Sequence, residues 1–562
     1  MIFKYCTLVF ILIISARLNT VQAQPENLGS KSKQLVETPI LFTDREIYSV
    51  NEDILFSALN ISSVALLTSD WSNVLYVELV SPDGEAFCSR KFSYNKNGAT
   101  GVLRIPNSIL TGNYYLRAYT RWMRDYSPYN FFYKIVTVIN PFRGELLEPS
   151  ENTVISEADV KTTLVSSDDL HLKTDKKIYE KRKEVKLVVS SIDDLDSSNK
   201  YVVSVVPKGT GTPLTPNLSG LQELKFSPDF IPETRGLSIS GKVVNLSDSV
   251  PIPYMLVALT IFKEKAETRN IMTNEKGQFF FDLSKLNGEY EIFISAKPKG
   301  NQTPLILIDN DFSTQELKLP YIAMDLSEEK KEIYKTLIFN SQIQALYQKR
   351  KIEDNLKSFS SDSLFYGVPD FVLNFADYIA LTNVKDYIYE LIPQVGVRHD
   401  GKRTTLKVLG SYSELSIYDP LVLVDMVPIF DIDKVLALQP GKIDRIEVVT
   451  SPYITGNIVF GGIVSLFSKK GDLAGIDLPS TGRFITYNML SSDSIQILSQ
   501  GSQHVPDLRS CIYWNPNLEL KRKEPAIISF NTNDNIGDYL ITVRSIDRNG
   551  KSIVATTEFS VK

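Results

Sequence analysis

The chain has 562 residues, with 61 Lys+Arg against 66 Asp+Glu for a formal charge of −5, and 43% hydrophobic and 23% charged residues. This balance excludes wholesale disorder and a collagen-like chain, and the length allows roughly three to five domains. With no clustered Lys/Arg run to neutralise phosphates, nucleic acid is excluded as a partner.

Taken in chain order, Lys4, the apolar run from Leu8 to Ala16 and the small-x-small triplet Val21-Gln22-Ala23 predict a signal peptide over 1–23. That run is too short to span a bilayer, and no later stretch reaches ~18 apolar residues, so the exported chain is expected to have no transmembrane helix. Thr43-Asp44-Arg45-Glu46-Ile47-Tyr48 is echoed by Thr174-Asp175-Lys176-Lys177-Ile178-Tyr179, and an apolar strand follows each. The repeat predicts two related β-sandwiches, at 38–141 and 169–233, separated by a polar acidic linker. Strands of period two and Gly-bearing turns, ending in Gly288-Glu289-Tyr290, predict a third sandwich at 236–320.

The pattern changes at Asp325, which with Glu328 reads as the start of a capped helix within a connector at 325–384. Thr382 is placed to cap a second helix that Pro393 stops. Strands alternating with short helices predict a small α/β domain at 385–475, and the return to strands predicts a separate C-terminal β-sandwich at 476–562. The fold class expected is mostly β and multidomain: tandem β-sandwiches plus one small α/β domain.

Catalytic chemistry is hard to find. His171, His399 and His504 are isolated, without the His or Glu spacing that lets ligands converge on zinc. There is no nucleophile elbow and no phosphate-cradling loop. Cys88 and Cys511, the two cysteines beyond the signal peptide, read as unpaired thiols. Acidic loops at Asp193–Asp196, Asp309–Asp311 and Asp534–Asp538 lack EF-hand spacing and read as solvated turns. No enzyme activity, cofactor or metal is expected. The aromatic run Tyr114, Tyr115, Tyr119, Trp122, Tyr126, Tyr129 is a candidate interface, since exposed aromatics anchor partners and stack on sugars.

Several segments resemble known families. The Thr43–Tyr48 hexapeptide with Glu52 and Phe56, and Tyr114–Met123, resemble macroglobulin domains of modular Bacteroidetes proteins. The third sandwich resembles the non-catalytic carboxypeptidase-regulatory-like β-domain. Pro420-Leu421-Val422-Leu423-Val424-Asp425-Met426-Val427-Pro428-Ile429, Ile443–Val449 and Gly461–Val464 are similar to signature segments of TonB-dependent receptor plugs, with Met426 where the plug pattern has Gly. Tyr513-Trp514-Asn515-Pro516 and Gly537-Asp538-Tyr539 look like a terminal β-domain that follows such plugs. No Cys-Gly-Glu-Gln thioester run is present, so protease trapping through one is excluded. The residues after 475 are too few for a receptor barrel, which needs many strands of ~9–11 residues.

The resemblances imply a non-enzymatic envelope scaffold, in the periplasm or at the outer membrane or cell surface, that docks on an outer-membrane transport or secretion complex. Asp425, Pro428 and Asp431, beside the plug-like turn, join Tyr115, Tyr119, Trp122 and Tyr126 as candidate partner contacts. A carbohydrate- or peptide-binding surface protein is the alternative, with a macroglobulin-type inhibitor behind it.

Overall fold

Apolar residues at every second position drive the strands, which form close to where the pattern puts them. The computed structural model describes residues 37–62, 71–148, 154–155, 170–191, 200–211, 218, 226–263, 266–283, 286–347, 364–401, 403–410, 417–456, 458–478, 482–491, 505–520, 524–546 and 552–562. The expected signal peptide, Asp193–Asp196 and His504 lie outside the described residues.

The first sandwich comprises β1 (Glu37–Thr43), β2 (Ile47–Ser49), β3 (Asp53–Ser62), β4 (Val74–Val80), β5 (Ala86–Ser93), β6 (Ala99–Arg104), β7 (Gly112–Tyr119) and β8 (Phe132–Ile139). After β9 (Val154–Ile155) come β10 (Leu170–Thr174), β11 (Ile178–Tyr179), β12 (Glu184–Ser191) and β13 (Lys200–Pro207). Next are β14 (Ser238–Asn245), β15 (Leu256–Phe262), β16 (Glu267–Met272), β17 (Gln278–Asp282), β18 (Glu289–Ala296), β19 (Pro304–Ile308), β20 (Tyr321–Ile322) and helix α1 (Glu328–Tyr347). The α/β region holds β21 (Phe371–Asn374), α2 (Val384–Leu391), β22 (Val395–Asp400), β23 (Arg403–Val408), β24 (Leu421–Val424) and β25 (Val427–Pro428). It continues with α3 (Ile432–Leu436), β26 (Ile443–Val449), β27 (Tyr453–Thr455), β28 (Ile458–Phe460) and β29 (Ile463–Ser468). The chain finishes with β30 (Arg483–Asn488), β31 (Tyr513–Glu519), β32 (Ala526–Asn531), β33 (Gly537–Ile546) and β34 (Ser552–Val561).

Pairing of these strands corrects the expected domain order. In the first sandwich, sheet β1-β3-β6 faces sheet β2-β8-β7-β4-β5. The second has the same plan, β10-β12-β32 against β11-β34-β33-β13-β31. Segments 169–233 and 476–562, expected as two domains, therefore supply complementary strands of one. The first sandwich joins β4 to β5 by a tight turn, with Ser81 N donating to Glu85 O at 2.9 Å. At the corresponding place the second sandwich carries everything between Pro207 and Tyr513. Nesting continues inside that insertion. The third sandwich packs β17-β14-β19 on β16-β15-β18-β30, so β30 arrives only after the α/β region has been built. The α/β sheet, β21-β26-β29-β24-β25, begins with β21, inside the segment expected to be a helical connector.

The repeated hexapeptide makes the same turn twice. Tyr48 Oη donates to Asp44 at 2.8 Å, and Tyr179 Oη donates to Asp175 at 2.6 Å. Each Asp also accepts a backbone N–H from the following strand, Leu55 at 3.1 Å and Lys186 at 2.8 Å. Both tyrosines sit in short strands that run parallel to the last strand of their sandwich, Tyr48 beside Val138 and Tyr179 beside Val561. A carboxylate that must accept from both a phenol and a strand N–H fixes the corner, which is why Asp and Tyr recur at this spacing.

The first two sandwiches meet through buried charge. Arg544 Nη2 donates to Thr43 O at 2.6 Å, Glu46 N donates to Thr210 O at 2.8 Å, and the Glu46 carboxylate, paired with Lys134 of its own sandwich at 2.8 Å, lies 3.8 Å from Arg544. Phe42, Val202, Trp514 and Ile546 close an apolar seam beside these bonds. The first and third sandwiches share a core. All of β4 is buried: Leu75, Val77 and Leu79 point into its own sandwich, while Val74, Tyr76 and Val80 pack toward the third. Helix α1 lays Tyr334 and Leu337 on Ile47 and Ile139. Ser327, whose hydroxyl accepts from Lys330 N at 3.4 Å, stands at its start in place of the expected Asp325. Asn383, one residue after the expected Thr382, caps α2 by accepting from Asp386 N at 3.0 Å.

Removing either corner phenol strands its carboxylate acceptor. Tyr48→Phe and Tyr179→Phe are each expected to cost about 1–3 kcal/mol in urea unfolding, with the fully buried Tyr48 costing more. A negligible effect at both sites would contradict the shared corner.

Candidate interaction site

The α/β region sits on the third sandwich through one apolar face, where Leu256 packs with Leu421, Leu423, Met426, Phe460 and Ile463. Strands β24 and β25 are joined by a two-residue turn, because Leu423 pairs with Pro428 and Val424 with Val427. Both turn residues take positive φ, Asp425 at 47° and Met426 at 68°, the type I′ geometry that matches strand twist. Met thus occupies a left-handed position that favours Gly. Its side chain is buried in the contact with the third sandwich, and that burial offsets the backbone cost. Gly462 is a position where glycine is required: its φ is 126°, and a Cβ there would lie 2.7 Å from Val449 O.

Asp425 and Pro428 serve this turn rather than an open surface, whereas Asp431 is exposed at the start of α3. The Asp425 carboxylate accepts from Ser468 N at 2.7 Å, Ser468 Oγ at 2.6 Å and Leu473 N at 2.8 Å. Pro428 is buried in β25, and Asp431 caps α3 through Lys434 N at 3.5 Å.

Beside the apolar contact lies a charged cleft that sequence reasoning missed. Arg403 and Thr405 of β23 line it together with Lys297 and Asp419. Lys407 reaches Asp419 at 3.1 Å, and Lys297 and Arg403 each reach it at 3.4 Å. Three cations share one carboxylate. Burial alone would raise the Asp419 pKa, but Lys297 and Lys407 outweigh it and hold the carboxyl below its ordinary value. The same burial lowers the Lys297 pKa. The free space is about 30 Å³, room for a water-sized group, so the cluster acts as a latch between the third sandwich and the α/β region. Only the alternation of Arg403 and Lys407 was visible in the sequence, because Lys297 and Asp419 come from distant segments.

The opposite side of the α/β region is exposed and apolar. Val368 is 90% and Ile379 89% exposed, and Val372, Tyr378 and Tyr389 are also open to solvent. Val368 precedes β21, Val372 lies in it, Tyr378 and Ile379 follow it, and Tyr389 is on α2; among the described residues β21 is an edge strand of the sheet, and Tyr387 Oη donates to Ile379 O at 3.3 Å.

The predicted aromatic interface is an interface inside the chain. Tyr115, Tyr119, Trp122 and Tyr126 are all buried, which corrects the expectation of a free surface. Tyr115 Oη donates to Pro320 O at 2.6 Å, and Tyr119 Oη donates to Glu78 at 2.7 Å while its ring stacks on Phe131. Trp122 and Tyr126 pack on Phe226. Along β7, Tyr114 points into the first sandwich, whereas Tyr115 and Tyr119 pack on the side shared with the third.

The acidic loops are also spoken for. Asp311 pairs with Lys91 at 2.6 Å, Asp534 with Arg182 at 2.6 Å, and Asp538 accepts from Ser560 Oγ at 2.6 Å. No group of three metal-ligating side chains comes together among the described residues. His399 Nδ1 lies 3.0 Å from Thr404 Oγ1, and His171 is exposed on β10. Cys88 and Cys511 are unpaired, and burial pushes both thiols up to about 12, away from reactive thiolate. No described helix is long and apolar enough to cross a membrane.

No protein-family model and no curated protein matches the chain. Among solved structures it is distantly similar to the Salmonella α2-macroglobulin reacted with methylamine, at 11% identity over 93% of this chain and 23% of that one, with a TM-score of 0.15. The native Escherichia coli α2-macroglobulin aligns at 9% identity over 94% of this chain and 40% of that one, with a TM-score of 0.24. Dimeric latent PorU from Porphyromonas gingivalis aligns at 10% identity over 52% of this chain and 34% of that one, with a TM-score of 0.15. The chain spans between 23% and 40% of the length of these three structures.

A carboxyl whose pKa is depressed by folding adds stability above its unfolded value near 3.8, and that contribution is lost as pH falls through the folded value. Asp419→Asn is therefore expected to lower stability by about 1 kcal/mol at pH 7, a value discounted for its partial exposure. The difference from the parent chain should hold down to about pH 3.8 and shrink as pH falls further below it in parallel urea titrations. A loss that stays equal at every pH would contradict the latch.

Proposed function

We propose that this chain is a non-catalytic scaffold of the cell envelope, exported by a Bacteroidetes-like bacterium, that docks on an outer-membrane transport or secretion complex through its α/β region. The observation that carries this reading is the division of that region into two faces. One face is latched to the third sandwich by Met426, Phe460 and the Asp419 cluster. The other holds Val368, Val372, Tyr378, Ile379 and Tyr389 in solvent around β21, an edge strand among the described residues. Apolar side chains grouped on a held surface are a partner's binding site more often than a random feature, and a strand edge adds main-chain donors and acceptors.

Two further observations support it. The segments that resemble a receptor plug do form the hairpin and central strands of one sheet, β24, β25, β26 and β29. Strands β30–β34 are used to complete the third and second sandwiches, so these strands furnish no barrel around the plug-like region.

Site-specific photo-crosslinking in cells tests the reading. A photoreactive residue at Ile379 is expected to give adducts with an integral outer-membrane protein. The same probe at Leu346, which is 82% exposed on α1, is expected to give none. Adducts from both positions alike, or from neither, would contradict the proposal.

A further inference from the structure

The duplicated sandwiches provide an internal comparison. Registers β3–β6 and β12–β32 superpose pair by pair, Asp53 with Arg104 matching Glu184 with Asn531. Ile105 N donates to Glu52 O, as Thr532 N donates to Lys183 O. Asn51 therefore corresponds to Arg182, and both hold positive φ, 64° and 55°. By the same register Asn107 corresponds to Asp534.

In the second sandwich this spot is shut. Arg182 grips Asp534 through two bonds of 2.7 and 2.6 Å and also donates to Val505 O at 2.7 Å. In the first sandwich the ion pair is replaced by two asparagines, and a cavity of about 450 Å³ lies there, lined by Asn51, Asn107, Ser108, Phe142 and Arg143. Phe142 is 67% exposed, and Arg143 forms no ion pair with any described residue. The loops that carry these side chains are held from below by buried Asn140. Its Nδ2 donates to Asn107 O at 3.0 Å and Ile109 O at 2.6 Å, and its Oδ1 accepts from Phe142 N at 3.0 Å.

We propose that this loop end of the first sandwich binds a saccharide carrying an anionic group. Phe142 offers a flat face for stacking against a sugar ring. Asn107 and Ser108 supply the donors and acceptors that hydroxyls require. Arg143 presents a planar fork that suits a carboxylate or a phosphate. The volume falls in the range of small-ligand sites, and the lining contains no aliphatic side chain of the kind that a peptide's apolar anchor would need. The site lies on a different domain from the docking face proposed above, and neither depends on the other.

Titration calorimetry on the full chain tests this with three probes: a glucuronate-terminated disaccharide, its counterpart bearing a sugar phosphate, and the neutral parent disaccharide. At least one acidic probe is expected to bind about tenfold or more tightly than the neutral one, and the better of the two identifies the anionic group. Phe142→Ala should weaken acidic and neutral binding alike by about tenfold or more, and Arg143→Gln should erase only the preference for acid. Unchanged melting temperatures in both variants keep these losses from being losses of fold. Failure of both acidic probes to bind, equal binding of the neutral one, or full affinity in Phe142→Ala would overturn the proposal.

Discussion

Everything after Pro207 depends on one closure, the pairing of β13 with β31 on one side and β33 on the other. Val205 stands opposite Tyr513, so the two ends of the long insertion leave the second sandwich side by side. Closing a gap of roughly 300 residues in a flexible chain costs about 4 kcal/mol more than closing a five-residue turn. A folded insertion removes most of that penalty, because its own sheets hold the ends together before the last strands arrive. The nesting repeats the device, with β18 awaiting β30 across the α/β region.

Interfaces between the units have the character of cores rather than of loose domain contacts. Strand β4 is buried on both faces, and β7 divides its tyrosines between two sandwiches. Lys91 of the first sandwich sits beside Asp311, which follows β19 of the third, at 2.6 Å, and both are largely buried. Buried charges of this kind stabilise little in net terms, but breaking one partner leaves the other uncompensated, so they select one relative placement of the units. Such a body holds the exposed apolar side of the α/β region and the Phe142 loop end on fixed supports, as a binding scaffold needs.

Much of the fold was legible because strand physics is local. The period-two runs at 74–80, 132–139 and 443–449 are strands within a residue or so of expectation. The Asp-to-Tyr echo correctly announced two related sandwiches. What the echo could not reveal was that one of them is interrupted, since pairing partners are set by tertiary contact and not by adjacency. A signal for it existed: Gly112-Asn113-Tyr114 opens β7 and Gly537-Asp538-Tyr539 opens β33, the same strand in the two sandwiches. Aromatic richness in 114–129 was read as a partner surface, but Tyr115, Tyr119, Trp122 and Tyr126 are buried within the chain. The Asp419 cluster and the Asn51–Asn107 opening were invisible for the same reason, since each is assembled from segments far apart in sequence.

The nesting is tested most directly by cutting it out. A variant in which residues 208–511 are replaced by a short Gly-containing turn joins β13 to β31 as β4 is joined to β5. With residues 170–562 as its frame, it is expected to give a β-rich circular dichroism spectrum and a single cooperative urea transition. The apolar seam that the first sandwich normally covers can be made polar by Trp514→Gln to keep it in solution. A chain that stays unfolded after this joining, with residues 476–562 folding cooperatively on their own, would contradict the account.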